Sequence, residues 1–356
     1  MRILQVVSDT DRRGAQVFAT DLQEALTARG HDIETVALVP GSAGGLGVDA
    51  LAPRWPSTAG LRSLRARMAR VDVTVAHGST TGPACAIGGL GPGRPVVYRQ
   101  ISDSRFWAPT RIKRARVRAT LARARFVVAL SEFNRSELVE WIGVRPERIV
   151  VVPNGVPATR FSPATPAQRS AARAALGLPD VPVLLFAGAL VPEKGADLAI
   201  RAVGSATDAH LVVAGTGRER ERLERLADEL APGRVHFVGS TPDAVPLYHA
   251  ADLLVLPSRG GDAMPAVLIE AGLCALAVVS TRIGAIPEVV VDGTTGYVVA
   301  PDDAEQLTGA VGQLLAQPAT RATMGASAHE RCIERYEITR VAEAWESVLR
   351  RAAGGA

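Results

Sequence analysis

A rhythm in the apolar residues constrains this chain more than any other feature. Runs built almost wholly of Val, Ile, Leu and Ala alternate with longer amphipathic stretches: RILQVVS (2–8), IETVALV (33–39), VTVAH (73–77), PVVYR (95–99), FVVAL (126–130) and IVVVP (149–153). Such runs lack the polar alternation of a half-exposed strand, so they predict parallel strands covered on both faces. Between them, GAQVFATDLQEALTARG (14–30) has helical periodicity and ends on a glycine suited to a C-cap. After the Pro-rich PATPAQ (163–168) the alternation restarts with VLLFAG (183–188), AHLVVAG (209–215), VHFVG (235–239), DLLVLP (252–257), LAVVST (276–281) and GYVVA (296–300). Helices are predicted over 218–230 and 264–273, and from about 304 to the end. The fold class is therefore α/β, with two doubly wound Rossmann-like domains facing a central cleft, where ligands of such folds are expected. The predicted boundaries are 1–165, 166–335 and a C-terminal helix, 336–356, packing back toward the N-terminal domain.

Composition narrows the function classes. With 47% hydrophobic and 21% charged residues over 356 positions, the chain has material for a large core and is too apolar to be disordered. It has no apolar run of membrane-spanning length and no signal-peptide pattern, which predicts a cytoplasmic location. Cys85, Cys274 and Cys332 have neither disulfide nor zinc-site spacing and read as buried small residues. Residues 1–165 hold 23 Lys and Arg against 13 Asp and Glu, or +10, whereas the remainder holds 17 against 23, or −6. Eight basic and no acidic residues fall in 105–125. Two readings of that stretch stay open, a solvated arginine face and peripheral contact with an anionic membrane on its inner face. Nucleic acid is disfavoured, because aromatics are scarce and no recognised nucleic-acid module is present.

Several segments carry chemistry. The first strand runs into SDTDRRGAQ rather than GxGxxG, which disfavours a dinucleotide oxidoreductase. Gly14 opens a helix whose free amides suit a phosphate, though a plain turn glycine reads equally well. Asp9 and Asp11 resemble a metal-binding pair only by string. In the second half, Gly188-Ala189 follows a strand and Lys194-Gly195 precedes a helix, placing an ammonium where it would neutralise a leaving diphosphate. Lys113 and Lys194 are the only lysines among 40 basic residues. In DLLVLPSRGGDAMPAVLIEAG, Asp262 sits in a Gly-rich loop and Glu270 about two turns into a helix expected to start near Met264. The free amides from Met264 through Pro265 and Ala266 to Val267 are expected to accept sugar hydroxyls or phosphate oxygens. His77, at the end of the third strand, is a candidate base, and equally a structural strand-end histidine.

Taken in order, Gly14, PNGV (153–156), Lys194-Gly195, GDAMPAVLIEA and GAIPEVVVDGTTGYVV resemble the retaining GT-B glycosyltransferases of glycosyltransferase family 4. The resemblance spans almost the whole chain and is more specific in the C-terminal half. It implies transfer of a sugar from a nucleotide-diphosphate donor with retained anomeric configuration, no metal, and no cofactor beyond the donor as co-substrate. Lys194 would then contact the diphosphate, Glu270 the ribose hydroxyls and Asp262 the donor sugar, with Gly14 under the phosphates. The backbone at Val238-Gly239 would read the base.

Three positions depart from the family pattern. Asp262 stands where a glutamate is usual, Ala189 where an arginine often follows the glycine, and Arg99-Gln100 where many members have histidine. Arg99 is a candidate replacement cation, and Asp103 a candidate neighbour of the acceptor. The acceptor is expected to be a glycan, lipid-linked or small molecule, selected by loops 40–60 and 100–112. The alternatives are a sugar-nucleotide epimerase or hydrolase, or a non-catalytic sugar-binding protein of the same fold.

Overall fold

The computed structural model describes residues 1–42, 45–90, 93–206 and 208–354. Of the expected selectivity loop 40–60, positions 43 and 44 lie outside the described residues, as do 355 and 356 of the C-terminal segment. The chain divides into two compact units, Met1–Val156 with Glu337–Ala356, and Pro157–Tyr336. The division falls ahead of the Pro-rich stretch, because Phe161 joins the second unit, edge-on to Tyr248.

Unit 1 is built on seven strands: β1 (Arg2–Asp9), β2 (Asp32–Val39), β3 (Asp49–Ala50), β4 (Val73–His77), β5 (Val96–Arg99), β6 (Phe126–Ala129) and β7 (Ile149–Val151). All pair in parallel, in the order β3-β2-β1-β4-β5-β6-β7. The short edge strand β3 carries no apolar run, which is why its sequence gave no sign of it. Successive residues of β1 serve opposite cores: Leu4 and Val6 pack with Leu64, Met68 and Val127, and Ile3 packs with Phe18, Leu22, Val75 and Trp345. Pleat alternation in a strand covered on both sides produces this division, so each residue of the apolar run is used. The second core is closed by the helix Ile338–Ala352, whose Trp345 is fully buried.

Unit 2 repeats the plan with β8 (Val183–Ala187), β9 (His210–Ala214), β10 (Val235–Gly239), β11 (Leu253–Leu256), β12 (Ala277–Thr281) and β13 (Gly296–Val299). Their order is β10-β9-β8-β11-β12-β13, again all parallel. The C-terminal tail is not one continuous helix. It breaks at Gln317, where Pro318 opens the next helix, and again at Glu337, which caps the last. In both sheets the strand order reverses beside the first strand, between β1 and β4 and between β8 and β11. In open α/β sheets that reversal parts the loops and makes room for a ligand at the carboxyl ends.

Candidate active site

The loops leaving β8 and β11 meet at the reversal point of unit 2. After β8 the chain turns through Gly188, whose amide bonds to Ala214 O at 2.9 Å, and enters a short 3-10 turn, Pro192–Lys194. Gly195 then adopts φ +69° and opens the helix Ala196–Ser205. A side chain at Gly195 would run into the carbonyl oxygen of Pro257, so glycine is what lets the two loops touch. Arg259 fastens them: its guanidinium grips Asp197 bidentately at 2.7 and 3.0 Å, reaches Pro192 O at 3.0 Å and pairs with Asp302. Its own amide donates to Glu193 O at 2.7 Å. Burial works to raise the Asp197 carboxyl, but the hydrogen bonds from Arg259 prevail and hold it below its usual range.

Within this frame Lys194 Nζ forms an ion pair with Asp262 Oδ1. The Asp262 side chain is 7% exposed and that of Lys194 24%, so the carboxylate is inside and the ammonium stands at the opening. The second carboxylate oxygen of Asp262 is buried with no hydrogen-bond partner among the described residues. An ionised oxygen left in that state costs on the order of 1–3 kcal/mol or more, and a ligand hydroxyl would relieve it. Glu270 projects from the helix Ala266–Leu273, where Tyr248 donates its hydroxyl to Glu270 Oε2 at 2.5 Å. Burial, reinforced by Glu270, drives the Tyr248 hydroxyl well above its ordinary pKa, so it stays a donor.

The helix starts later than Met264. Pro265 is its N-cap and has no amide to give, and Leu268 N already bonds to Pro265 O at 3.3 Å. The open donors of this turn are therefore Ala266 and Val267. Met264 is buried in the preceding loop. At the edge of the sheet the pairing of β10 with β9 skips Val238, which leaves its backbone outside the ladder. Gly239 follows at φ +72°, and its carbonyl accepts from Gly215 N at 2.7 Å.

In unit 1, Gly14 begins the helix Gly14–Ala28 with no side-chain cap, and a Cβ there would meet nothing within 4 Å. The Asp9 and Asp11 carboxylates are occupied holding Arg13, at 3.3 and 2.9 Å. His77 is not on an open surface. It is 2% exposed, donates from Nε2 to Gln5 Oε1 at 2.9 Å, faces Arg99 through Nδ1 at 3.4 Å and stacks on Trp345. Burial, then the neighbouring guanidinium, push it well below its ordinary pKa, so it is a neutral packing residue here. Arg99 is also buried, over the Phe18 ring and bonded to Asn154 Oδ1, and burial lowers it to about 9. Asp103 caps the short helix Ser104–Trp107, accepting from Arg105 N and Phe106 N at 2.8 and 3.0 Å. Beside it, buried Glu137 is pushed up to about 7 by burial and by the Asp103 charge. The three cysteines are free and buried, with burial raising each thiol to about 12.

The structure thus brings Lys194 and Asp262 together in unit 2 and sets His77 and Arg99 into the interior of unit 1. Sequence reasoning missed Arg259, Tyr248, Gln5 and Glu137. Arg259 meets Asp197 across 62 residues and Gln5 meets His77 across 72, separations at which no local pattern signals a partner.

Residues 12–160 match the domain family Glycosyltransferase Family 4, and residues 181–317 match Glycosyl transferases group 1. Between them these two glycosyltransferase domain families span most of the chain. It is 33% identical over 244 residues to a GDP-mannose-dependent alpha-(1-6)-phosphatidylinositol monomannoside mannosyltransferase of Mycolicibacterium smegmatis, covering 65% of this chain and 63% of that one. It is 37% identical over 212 residues to a D-inositol 3-phosphate glycosyltransferase of Acidothermus cellulolyticus, covering 54% and 46%. The matched segment spans from about half to just under two thirds of these relatives' length. Among solved structures, the Anabaena protein HepE in complex with UDP and glucose aligns with TM-score 0.88 at 20% identity over 98% of this chain and 99% of that one. WaaG, a glycosyltransferase involved in lipopolysaccharide biosynthesis, aligns with TM-score 0.76 at 21% identity over 99% and 100%. These likenesses establish the fold expected from the sequence, paired parallel α/β sheets of the GT-B kind.

Proposed function

We propose that the chain is a retaining glycosyltransferase that moves a sugar from a nucleotide-diphosphate donor to a glycan, lipid-linked or small-molecule acceptor. The observation that carries this reading is the Lys194–Asp262 pair at the reversal point of unit 2, with one Asp262 oxygen buried and without a partner among the described residues. In this reading Lys194 and the amides opening nearby helices hold the diphosphate as charge develops on it. Asp262 takes a donor-sugar hydroxyl, and Glu270, oriented by Tyr248, takes the ribose. The backbone of Val238, outside the ladder, and the turn at Gly239 beside it meet the base, and Gly14 leaves room for a phosphate to approach the helix amides. The donor C1–O bond breaks first, the acceptor oxygen attacks the same face, and the departing diphosphate oxygen takes the acceptor proton. No protein base is required, which agrees with the burial of His77. Arg99 and Asp103 contribute through the shape of the acceptor side, Arg99 by fixing Asn154 and Asp103 by capping its helix.

The test is a panel of UDP-, GDP- and ADP-sugars read by thermal shift, followed by turnover with inositol 3-phosphate and phosphatidylinositol monomannoside as acceptors. That acceptor choice follows from what the named relatives act on. A donor stabilises the state it binds, so one nucleotide series should raise the melting temperature. Proton NMR of the product should show the donor's anomeric configuration. Consumption of donor without an acceptor would replace this reading with an epimerase or hydrolase, and binding without turnover across the panel would replace it with a sugar-binding protein.

The same reading puts residues 105–125 on an anionic membrane surface at its inner, cytoplasmic face. The helix Arg111–Leu121 buries only Leu121, and Phe106, Trp107 and Ile112 are 39, 56 and 68% exposed beside its arginines. Exposed apolar rings among cations suit a lipid headgroup boundary. Among the described residues no helix is long and apolar enough to cross a membrane. The protein should sediment with phosphatidylglycerol vesicles at low salt and remain free with phosphatidylcholine alone.

A further inference from the structure

A diphosphate brings more negative charge than the ion-paired loops of unit 2 can meet. Lys194 is matched by Asp262, and Arg259 is matched by Asp197 and Asp302. On the helix that follows β9, Arg220 pairs with Glu224 at 2.8 Å and Arg222 with Glu219 at 2.7 Å. Ala189 adds no charge to the turn after β8. Arg218 differs from all of these. It is held by a contact of 3.9 Å to Glu193 Oε1, and its side chain is 70% exposed.

Arg218 also stands in the right place. Its loop leaves β9, the immediate neighbour of β8, and is pressed onto the turn that leads to Lys194. Leu190 N bonds to Thr216 O at 2.9 Å, and Glu219 N bonds to Leu190 O at 3.0 Å. Side chains at Gly215 and Gly217 would run into the carbonyl oxygens of Gly188 and Leu190, so the backbones lie in direct contact. Glu193, the loose partner of Arg218, is the residue before Lys194. Arg282, the exposed cation after β12, leans the other way and reaches Val298 O on edge strand β13 at 3.4 Å.

We infer that Arg218 supplies the second cation for the donor diphosphate, in place of the charge missing at Ala189. This rests on the donor-site reading above. The guanidinium swings from Glu193 to the phosphate oxygens, which it can bind through two parallel N–H donors. Because Lys194 must leave Asp262, at least in part, to meet the diphosphate, Arg218 also offsets the negative charge that Lys194 uncovers.

Isothermal titration calorimetry of the full chain with GDP, UDP, GMP and UMP tests the inference. The wild type should bind one diphosphate more tightly than its monophosphate. Arg218→Ala should weaken the diphosphate about tenfold, as expected for losing a charge-assisted hydrogen bond, and leave the monophosphate within about twofold. Arg218→Lys should retain most of the preference, and Arg282→Ala should keep all of it. If Arg218→Ala keeps the full preference while Lys194→Ala loses it, or if lysine is as damaging as alanine, the inference is overturned and the donor site stands. If folded wild-type protein binds none of the four nucleotides, the donor reading fails and this inference with it.

Discussion

Asp262 shows how one residue can carry a functional argument. Folding leaves one of its oxygens bonded to Lys194 and the other with no partner among the described residues, an arrangement with little structural benefit that makes chemical sense once a ligand is present. Replacing Lys194 with alanine should lower turnover at least a hundredfold, by removing the cation that meets developing charge, and should also lower the melting temperature, because it leaves the buried Asp262 carboxylate without its cation. Near-normal turnover would remove Lys194 from the mechanism. Gly14 allows a cleaner separation. The protein itself leaves space for a Cβ there, so Gly14→Ala should fold as well as wild type and yet raise the donor KM if a phosphate lies against that turn. An unchanged KM would return Gly14 to being a simple helix opener. Glu137 sets a pH dependence. Its folded pKa lies near 7, above its ordinary 4.5, so the folded state holds a proton that the unfolded state has released between those values. Stability from this group is present below about 4.5 and is lost as pH rises toward 7; Glu137→Gln should flatten that slope in denaturation curves taken across the window.

At the scale of elements, two loops from sequence-distant strands act as one because Gly195 lets them touch and Arg259 ties them. Gly195→Ala needs a positive φ that alanine resists and places a methyl against Pro257 O, so a loss of about 1–3 kcal/mol together with most of the activity is expected. A variant with wild-type melting and turnover would show that the loops tolerate separation. These elements were readable before any coordinates: the strand runs matched β1, β2 and β4–β13 to within a residue or two, because parallel strands buried on both faces leave an unbroken apolar signature. β3 was not readable, since two exposed residues carry no such signature. The helix after Asp262 begins beyond the expected start near Met264, because a residue that precedes a proline is kept out of the helical region and Pro265 serves as the N-cap.

For the molecule as a whole, each unit has a separate point of weakness. Trp345 closes one core of unit 1 from the far end of the chain, and Trp345→Ala should cost about 3–5 kcal/mol there. In unit 2, Asp252 gathers Arg169, Arg173 and Arg321 and accepts Val183 N at 2.8 Å, and Asp252→Ala would remove the one carboxylate these three guanidinium groups share, at a similar cost, about 3–5 kcal/mol. Calorimetry should therefore show each variant lowering the transition of its own unit; a single transition that shifts equally in both would mean that the units unfold together.

The sequence by itself determined the two α/β sheets and the strand positions and singled out Lys194, Asp262 and Glu270 as candidates, because apolar periodicity and glycine-bounded turns are local properties written over a few residues. Tertiary structure alone decided that Lys194 meets Asp262, that Tyr248 orients Glu270 and that His77 is sealed against Trp345. Those outcomes depend on which strands become neighbours and on how much water each side chain keeps, and both are settled only when distant parts of the chain come together.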